Sequence, residues 1–215
     1  MNQTNNRQGV RAKISEDIAV WSTLWKIRVG LPLLCRILLL EPGFQVALSI
    51  RLQEALTRVP VVGKTLRRVL WYFTTVWHGC DIAPGTSIGG GIFLPHPNGI
   101  VIGGDCVIGR NVQILQGVTL GILAATRGLG IPDKQSPVIE DGVSIFAGAR
   151  LIGGIRVGAG ASIGANSVVL TDVPAGCTAV GVPARILQPR STAARTGAPA
   201  AAAEATHVEM QNVLE

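Results

Sequence analysis

From Asp81 onward, aliphatic side chains recur every six residues. The first frame is Ile82, Ile88, Leu94 and Ile100, and a shift of two then gives Ile102, Ile108, Ile114 and Leu120. After an interruption the beat resumes as Ile139, Ile145, Leu151, Val157, Ile163 and Val169. A period of six fits neither an amphipathic helix at 3.6 nor an alternating strand at 2. It fits a solenoid in which three six-residue units make one triangular turn. Each unit points its aliphatic residue inward, and stacked turns bury a continuous apolar column that no single turn could bury alone. Glycine follows the aliphatic position in Ile88-Gly89, Ile102-Gly103, Ile108-Gly109, Val157-Gly158 and Ile163-Gly164, where a small residue permits the corner.

The N-terminal third has a different texture. Residues 1–18 are polar and are expected to be disordered. Residues 19–78 read as a helical region. Trp21, Leu24, Trp25 and Arg28 have helical spacing, and so do Val46, Ile50 and the run Leu52 to Leu56. Glu41-Pro42-Gly43 and Val59-Pro60 punctuate the helices. Lys64 to Trp77 mixes Lys64, Arg67 and Arg68 with Leu66, Val69, Leu70, Trp71 and Phe73. That basic amphipathic face suits packing against the next domain or contact with a membrane surface. The solenoid is expected over 79–189, with an arm at 122–137 where the six-residue beat lapses, and a flexible tail over 190–215.

Composition narrows the function. Net charge is +6, but aromatics make up only 4% and no nucleic-acid motif is present, so nucleic acid is excluded as a partner. Cys35, Cys80, Cys106 and Cys177 are scattered without a CxxC pair, and no Cys/His cluster has zinc spacing. They read as buried small hydrophobes in a reducing compartment, and no metal is expected. The polar first residues lack the pattern of a signal peptide, and the apolar run Val29 to Leu40 is broken by Pro32 and Arg36. A cytoplasmic protein is expected, with peripheral membrane contact through the basic helix as an option.

The chain has three histidines. His207 lies in the tail and His78 at the entry to the solenoid, whereas His96 lies within the coils between Pro95 and Pro97. A histidine there suits general-base work near neutral pH. Asp81 precedes His96 by fifteen residues. One turn takes about eighteen residues, so the carboxylate falls on the neighbouring layer, offset by three.

The stretch Gly79-Cys80-Asp81-Ile82, Pro95-His96-Pro97-Asn98-Gly99-Ile100-Val101-Ile102-Gly103 and Ile114-Leu115-Gln116-Gly117-Val118-Thr119-Leu120-Gly121 resembles the hexapeptide-repeat acyltransferases. So do Ala147-Gly148-Ala149, Ile163 to Val169 and Gly181-Val182-Pro183-Ala184-Arg185-Ile186, and the nearest branch is the serine O-acetyltransferases. The resemblance implies a mainly β fold: a left-handed parallel β-helix with a small helical region before it. It implies a homotrimer with active sites between subunits, acetyl-CoA as co-substrate, and a catalytic His–Asp pair at His96 and Asp81. Gly121, Ala147, Gly148, Gly164 and Ala165 occupy the positions along which acetyl-CoA lies. Arg185, and more weakly Lys134, stand as phosphate partners. For the glycines a corner with unusual backbone torsions is an equal reading. Phe146 replaces a small residue typical of the branch.

Two departures bear on the acceptor. Pro95 stands where serine acetyltransferases carry an aspartate for the amino acid's ammonium. Lys134-Gln135-Ser136-Pro137 stands where they carry an Arg-His pair near its carboxylate. A zwitterion needs paired charges, whereas a sugar hydroxyl needs only neutral hydrogen bonds. The expected reaction is therefore O-acetylation of a sugar, such as an exopolysaccharide precursor or lipid-linked sugar, with serine as the alternative acceptor.

Overall fold

The computed structural model describes residues 9–122 and 136–188. Four helices come first: α1 (Val10–Trp25), α2 (Leu31–Leu40), α3 (Pro42–Leu56) and α4 (Val62–His78). Fourteen short strands follow among the described residues. They are β1 (Asp81–Ile82), β2 (Ser87–Ile88), β3 (Val101–Ile102), β4 (Val107–Ile108), β5 (Gln113–Ile114), β6 (Thr119–Gly121) and β7 (Val138–Ile139). The rest are β8 (Ser144–Ile145), β9 (Arg150–Ile152), β10 (Arg156–Val157), β11 (Ser162–Ile163), β12 (Val168–Val169), β13 (Thr178–Val180) and β14 (Arg185–Leu187).

The strands form three sheets, ordered β1-β3-β6-β9-β12, β2-β4-β7-β10 and β5-β8-β11-β13-β14. All pairings are parallel except β13–β14, which closes the last layer antiparallel. Consecutive strands visit the three sheets in rotation. Isolated bridges at Phe93–Gln113 and Val157–Val173 mark the two visits too short to count as strands. The chain is therefore mainly parallel strand, wound over three faces, with a helical region at its N-terminal side.

All fourteen aliphatics of the six-residue series are buried, most of them completely. Most units also bury the residue two positions earlier, Thr86 and Asn98 being the exceptions. Val112 precedes Ile114, Val118 precedes Leu120, Val143 precedes Ile145 and Ala161 precedes Ile163. Alternation within each strand sends both side chains to the same face. Cys80, Cys106 and Cys177 occupy this second column, which explains three of the four cysteines, but Cys35 on α2 is exposed. The lapse in the six-residue beat does not disturb stacking, because Val107 pairs directly with Val138 across it. The expected arm and tail fall almost wholly outside the described residues.

The glycines after the aliphatic positions work differently from expectation. Gly89 has an ordinary negative torsion, but a Cβ there would lie 2.6 Å from the Gly109 carbonyl oxygen of the next layer. Close stacking of layers, not a left-handed torsion, requires glycine at that position. Left-handed torsions fall at other positions, and one column of them is Gly79, Gly99, Gly117, Gly148 and Asn166, with φ between +55° and +72°. These residues lie over one another along one corner, linked by bonds such as Gly117 N–H to Asn98 O at 2.9 Å.

Helix formation begins earlier than the sequence suggests. Residues 10–18, expected to be disordered, form the first half of α1. The cause is tertiary. Asp17 is buried and accepts from Arg51 Nε at 2.8 Å, from Gly91 N–H at 2.8 Å and from Ile92 N–H at 3.0 Å. Arg51, wholly buried on α3, also donates to the carbonyls of Ile88 and Gly89. One ion pair thus fastens two helices to the first coil. No single helix among the described residues is long and apolar enough to cross a membrane.

Candidate active site

His96 sits in the loop from Pro95 to Gly99, between the bridge at Phe93 and β3. Gly99 donates to Gly79 O at 2.7 Å, and Asn98 O accepts from Gly117, so the layers on either side both hold the loop. Pro97 is buried, while the His96 ring is exposed and makes no hydrogen bond among the described residues.

Asp81 opens β1 and is half-buried. Its strand pairs it with Val101, because the first coil carries two residues more than the next one. Asp81 therefore lies further along from His96 than the expected offset of three. Among the described residues no hydrogen bond or ion pair joins the two. Instead, Asp81 Oδ1 accepts from the Trp71 indole N–H of α4 at 3.0 Å. Arg68 lies over the same indole, 4.3 Å from the ring centre. Sequence reading assigned Trp71 only to an amphipathic face. The spacing from Trp71 to Asp81 signals nothing until the turn at Gly79 folds α4 back onto β1.

Two other titratable groups flank the site. Burial lowers the pKa of His78, at the end of α4, below its ordinary value of 6.5. Burial, and then the neighbouring Asp81 charge, push the Cys80 thiol up to about 12. Cys80 is therefore protonated at neutral pH and unsuited to act as a nucleophile.

The small residues expected along a ligand wall fall into two groups. Ala147 and Gly148 form the corner after β8, and Gly164 and Ala165 form the same corner one layer on, with Asn166 N–H bonded to Ala147 O at 2.8 Å. A Cβ on Gly164 would lie 2.6 Å from Val180 Cγ1, and Val180 pairs with Arg185 across β13–β14. Ala147, Gly148 and Gly164 are half-buried, whereas Ala165, Arg185 and the neighbouring Phe146 are exposed. Gly121 stands apart on the first sheet at the end of β6, opposite Ile152. Arg185 is exposed and has no ion-pair partner among the described residues, whereas Lys134 lies outside them.

Residues 136–171 match the model of the bacterial transferase hexapeptide family, built on six repeats. A serine acetyltransferase from Synechococcus elongatus is 39% identical over 153 residues, covering 70% of this chain and 59% of its own. One from Staphylococcus xylosus is 46% identical over 123 residues, covering 57% and 55%. Among solved structures, a serine acetyltransferase in complex with CoA superposes with a TM-score of 0.69 at 38% identity, over 85% of this chain and 71% of that one.

The chain belongs to the hexapeptide-repeat acyltransferases, in their serine acetyltransferase-like branch. Soybean serine acetyltransferase complexed with serine superposes with a TM-score of 0.71 at 35% identity, over 83% of this chain and 70% of that one. The chain spans 54 to 59% of the length of such curated relatives.

Membership in this branch corrects the expected acceptor. The sugar reading rested on the side chains at Pro95 and at Lys134 to Pro137. Relatives at 39 to 46% identity and the solved neighbours are serine acetyltransferases, which overturns it. Absence of a charge at one sequence position does not exclude a zwitterion, because charges from other elements can meet the same ligand groups. The lipid-linked acceptor falls with it.

Proposed function

We propose that this acyltransferase is a serine O-acetyltransferase, transferring acetyl from acetyl-CoA to the serine hydroxyl. One observation carries the reading: 38% identity over 85% of the chain to a serine acetyltransferase solved with CoA. The three-sheet winding is read as a left-handed parallel β-helix, and the working unit as a homotrimer with the acceptor site between subunits.

In the proposed reaction His96 Nε2 or Nδ1 takes the proton of the serine hydroxyl as its oxygen attacks the thioester carbonyl. The tetrahedral species collapses with loss of the CoA thiolate, which takes the proton back from the imidazolium. Asp81 is read as the group that stabilises that imidazolium, its second oxygen remaining open while Trp71 holds the first. Ala147, Gly148, Gly164 and Ala165 are read as the wall along the pantetheine, Gly121 as a contact round the corner, and Arg185 as a phosphate partner. The exposed, rigidly held loop favours this role for His96. Its imidazole is open to a substrate, and the flanking prolines restrict how far it moves.

The test is thiol release from acetyl-CoA with and without L-serine, followed by identification of O-acetylserine. Serine-dependent release that falls by roughly 10²-fold or more in His96→Ala is the expected result, in keeping with the worth of a general base. Release independent of serine, or an undiminished rate in the variant, would remove the reading.

A further inference from the structure

A cavity of about 220 Å³ opens between the helical region and the first coil, on the far side of β1 from the His96 loop. Lys13 of α1, Glu54 and Thr57 of α3, Arg67 of α4 and the turn from Pro84 to Thr86 line it, over an apolar floor of Ile50, Ile82 and Ile88. The corner it occupies, between the first and second sheets, is not the one that carries Gly99, Gly117 and Gly148.

Its polar groups do not balance internally. Lys13 is only 2% exposed, yet its ammonium makes one bond, to Glu54 Oε1 at 2.8 Å, leaving two N–H donors unused among the described residues. A buried ammonium with a single acceptor is costly unless further acceptors reach it. Arg67 is half-buried and has no hydrogen bond or ion pair among the described residues. Against these two cations the wall offers one carboxylate, Glu54, whose other oxygen faces Arg51 Nη1 at 3.8 Å. The Thr57 and Thr86 hydroxyls already donate to backbone carbonyls. The cavity thus carries a surplus of donors and one net positive charge above an apolar floor.

We propose that this cavity binds a small organic carboxylate, its oxygens between Lys13 and Arg67 and its carbon chain on Ile50, Ile82 and Ile88. The volume falls below that of pockets for drug-sized ligands, roughly 300 Å³ upward, so the ligand is a metabolite of a few carbons. The apolar floor selects a carboxylate with a short chain over inorganic phosphate. Arginine accepts such a group in a bidentate fork.

Titration calorimetry with sodium butyrate, on the whole chain saturated with CoA, tests the site without relying on acetyl transfer. Binding in about the millimolar range is expected, as suits so small a ligand. Butyramide, which has the same shape without the charge, should not bind, and phosphate should bind more weakly than butyrate. Arg67→Gln should weaken butyrate at least about tenfold while leaving the melting temperature and serine-dependent thiol release unchanged. Lys13→Met should abolish binding, and its circular dichroism reports whether it still folds. No butyrate binding to the folded wild type, equal binding to Arg67→Gln, phosphate preferred over butyrate, or a signal present only without CoA would each overturn the proposal.

Discussion

The indole N–H of Trp71 reaches Asp81 Oδ1 across 3.0 Å, joining the last helix to the first strand at the acidic group of the proposed catalytic pair. A hydrogen bond to a charged acceptor is worth about 1.5–3 kcal/mol. Trp71→Phe keeps most of the ring that Arg68 covers and removes only the donor. If Asp81 serves the proposed reaction, Trp71 is a positioning residue. The variant should lower kcat by roughly tenfold with little change in KM for serine or acetyl-CoA. Steady-state kinetics decides between this and a merely structural role, in which melting temperature falls and kcat per folded molecule holds.

The Arg51–Asp17 pair makes a prediction about stability. Both side chains are buried, and both also bond backbone groups of the first coil. Removing one partner strands the other, which costs about 3–5 kcal/mol. Arg51→Met or Asp17→Leu alone should each lower the urea midpoint sharply. The double variant should lie closer to wild type than the sum of the two, as an equilibrium double-mutant cycle would show. Additive losses would mean that the two groups stabilise the fold independently.

Gly148 and Gly121 separate the two readings of the small-residue positions. Gly148 has φ +72°, and a Cβ there would run into the Asn166 side chain one layer on. Gly148→Ala should cost about 1–2 kcal/mol in the fold itself, visible as a lower melting temperature. At Gly121 the nearest atom to an added Cβ is Ile152 Cδ1 at 4.0 Å. Gly121→Ala should fold normally and raise KM for acetyl-CoA several-fold if the cofactor arm passes there. An unchanged KM would take Gly121 out of the wall.

His78 gives a dependence on pH. Burial holds its pKa below the ordinary 6.5, so the unfolded chain binds a proton that the folded chain resists. Stability contributed by the neutral ring is present above pH 6.5 and is lost as the pH falls through the lowered folded value. Urea midpoints measured between pH 7.5 and pH 5 should decline less in His78→Gln than in wild type. Parallel declines would show that other groups set the acid limit.

The repeat of aliphatics by sixes dictated the winding, because a side chain must point inward once in each short strand and only stacked turns bury it. That pattern is local in sequence and could be read without coordinates, as could the loop that presents His96 between two prolines. The helical segments from Trp21 onward were legible for the same reason, through their 3.6-residue spacing. Tertiary structure alone decided what depends on residues far apart in the chain. Lys13 and Asp17 make α1 begin at Val10 because their partners lie on α3 and in the first coil. The two additional residues of that coil set Asp81 against Val101, and the turn at Gly79 brings Trp71 to it. The unbalanced charges around the cavity, Lys13, Glu54 and Arg67, belong to α1, α3 and α4, and meet only because those helices pack on the coil. Periodicity records what each residue does with its neighbours in sequence. Charge pairing across a folded interface has no period, so only the packed molecule reveals it.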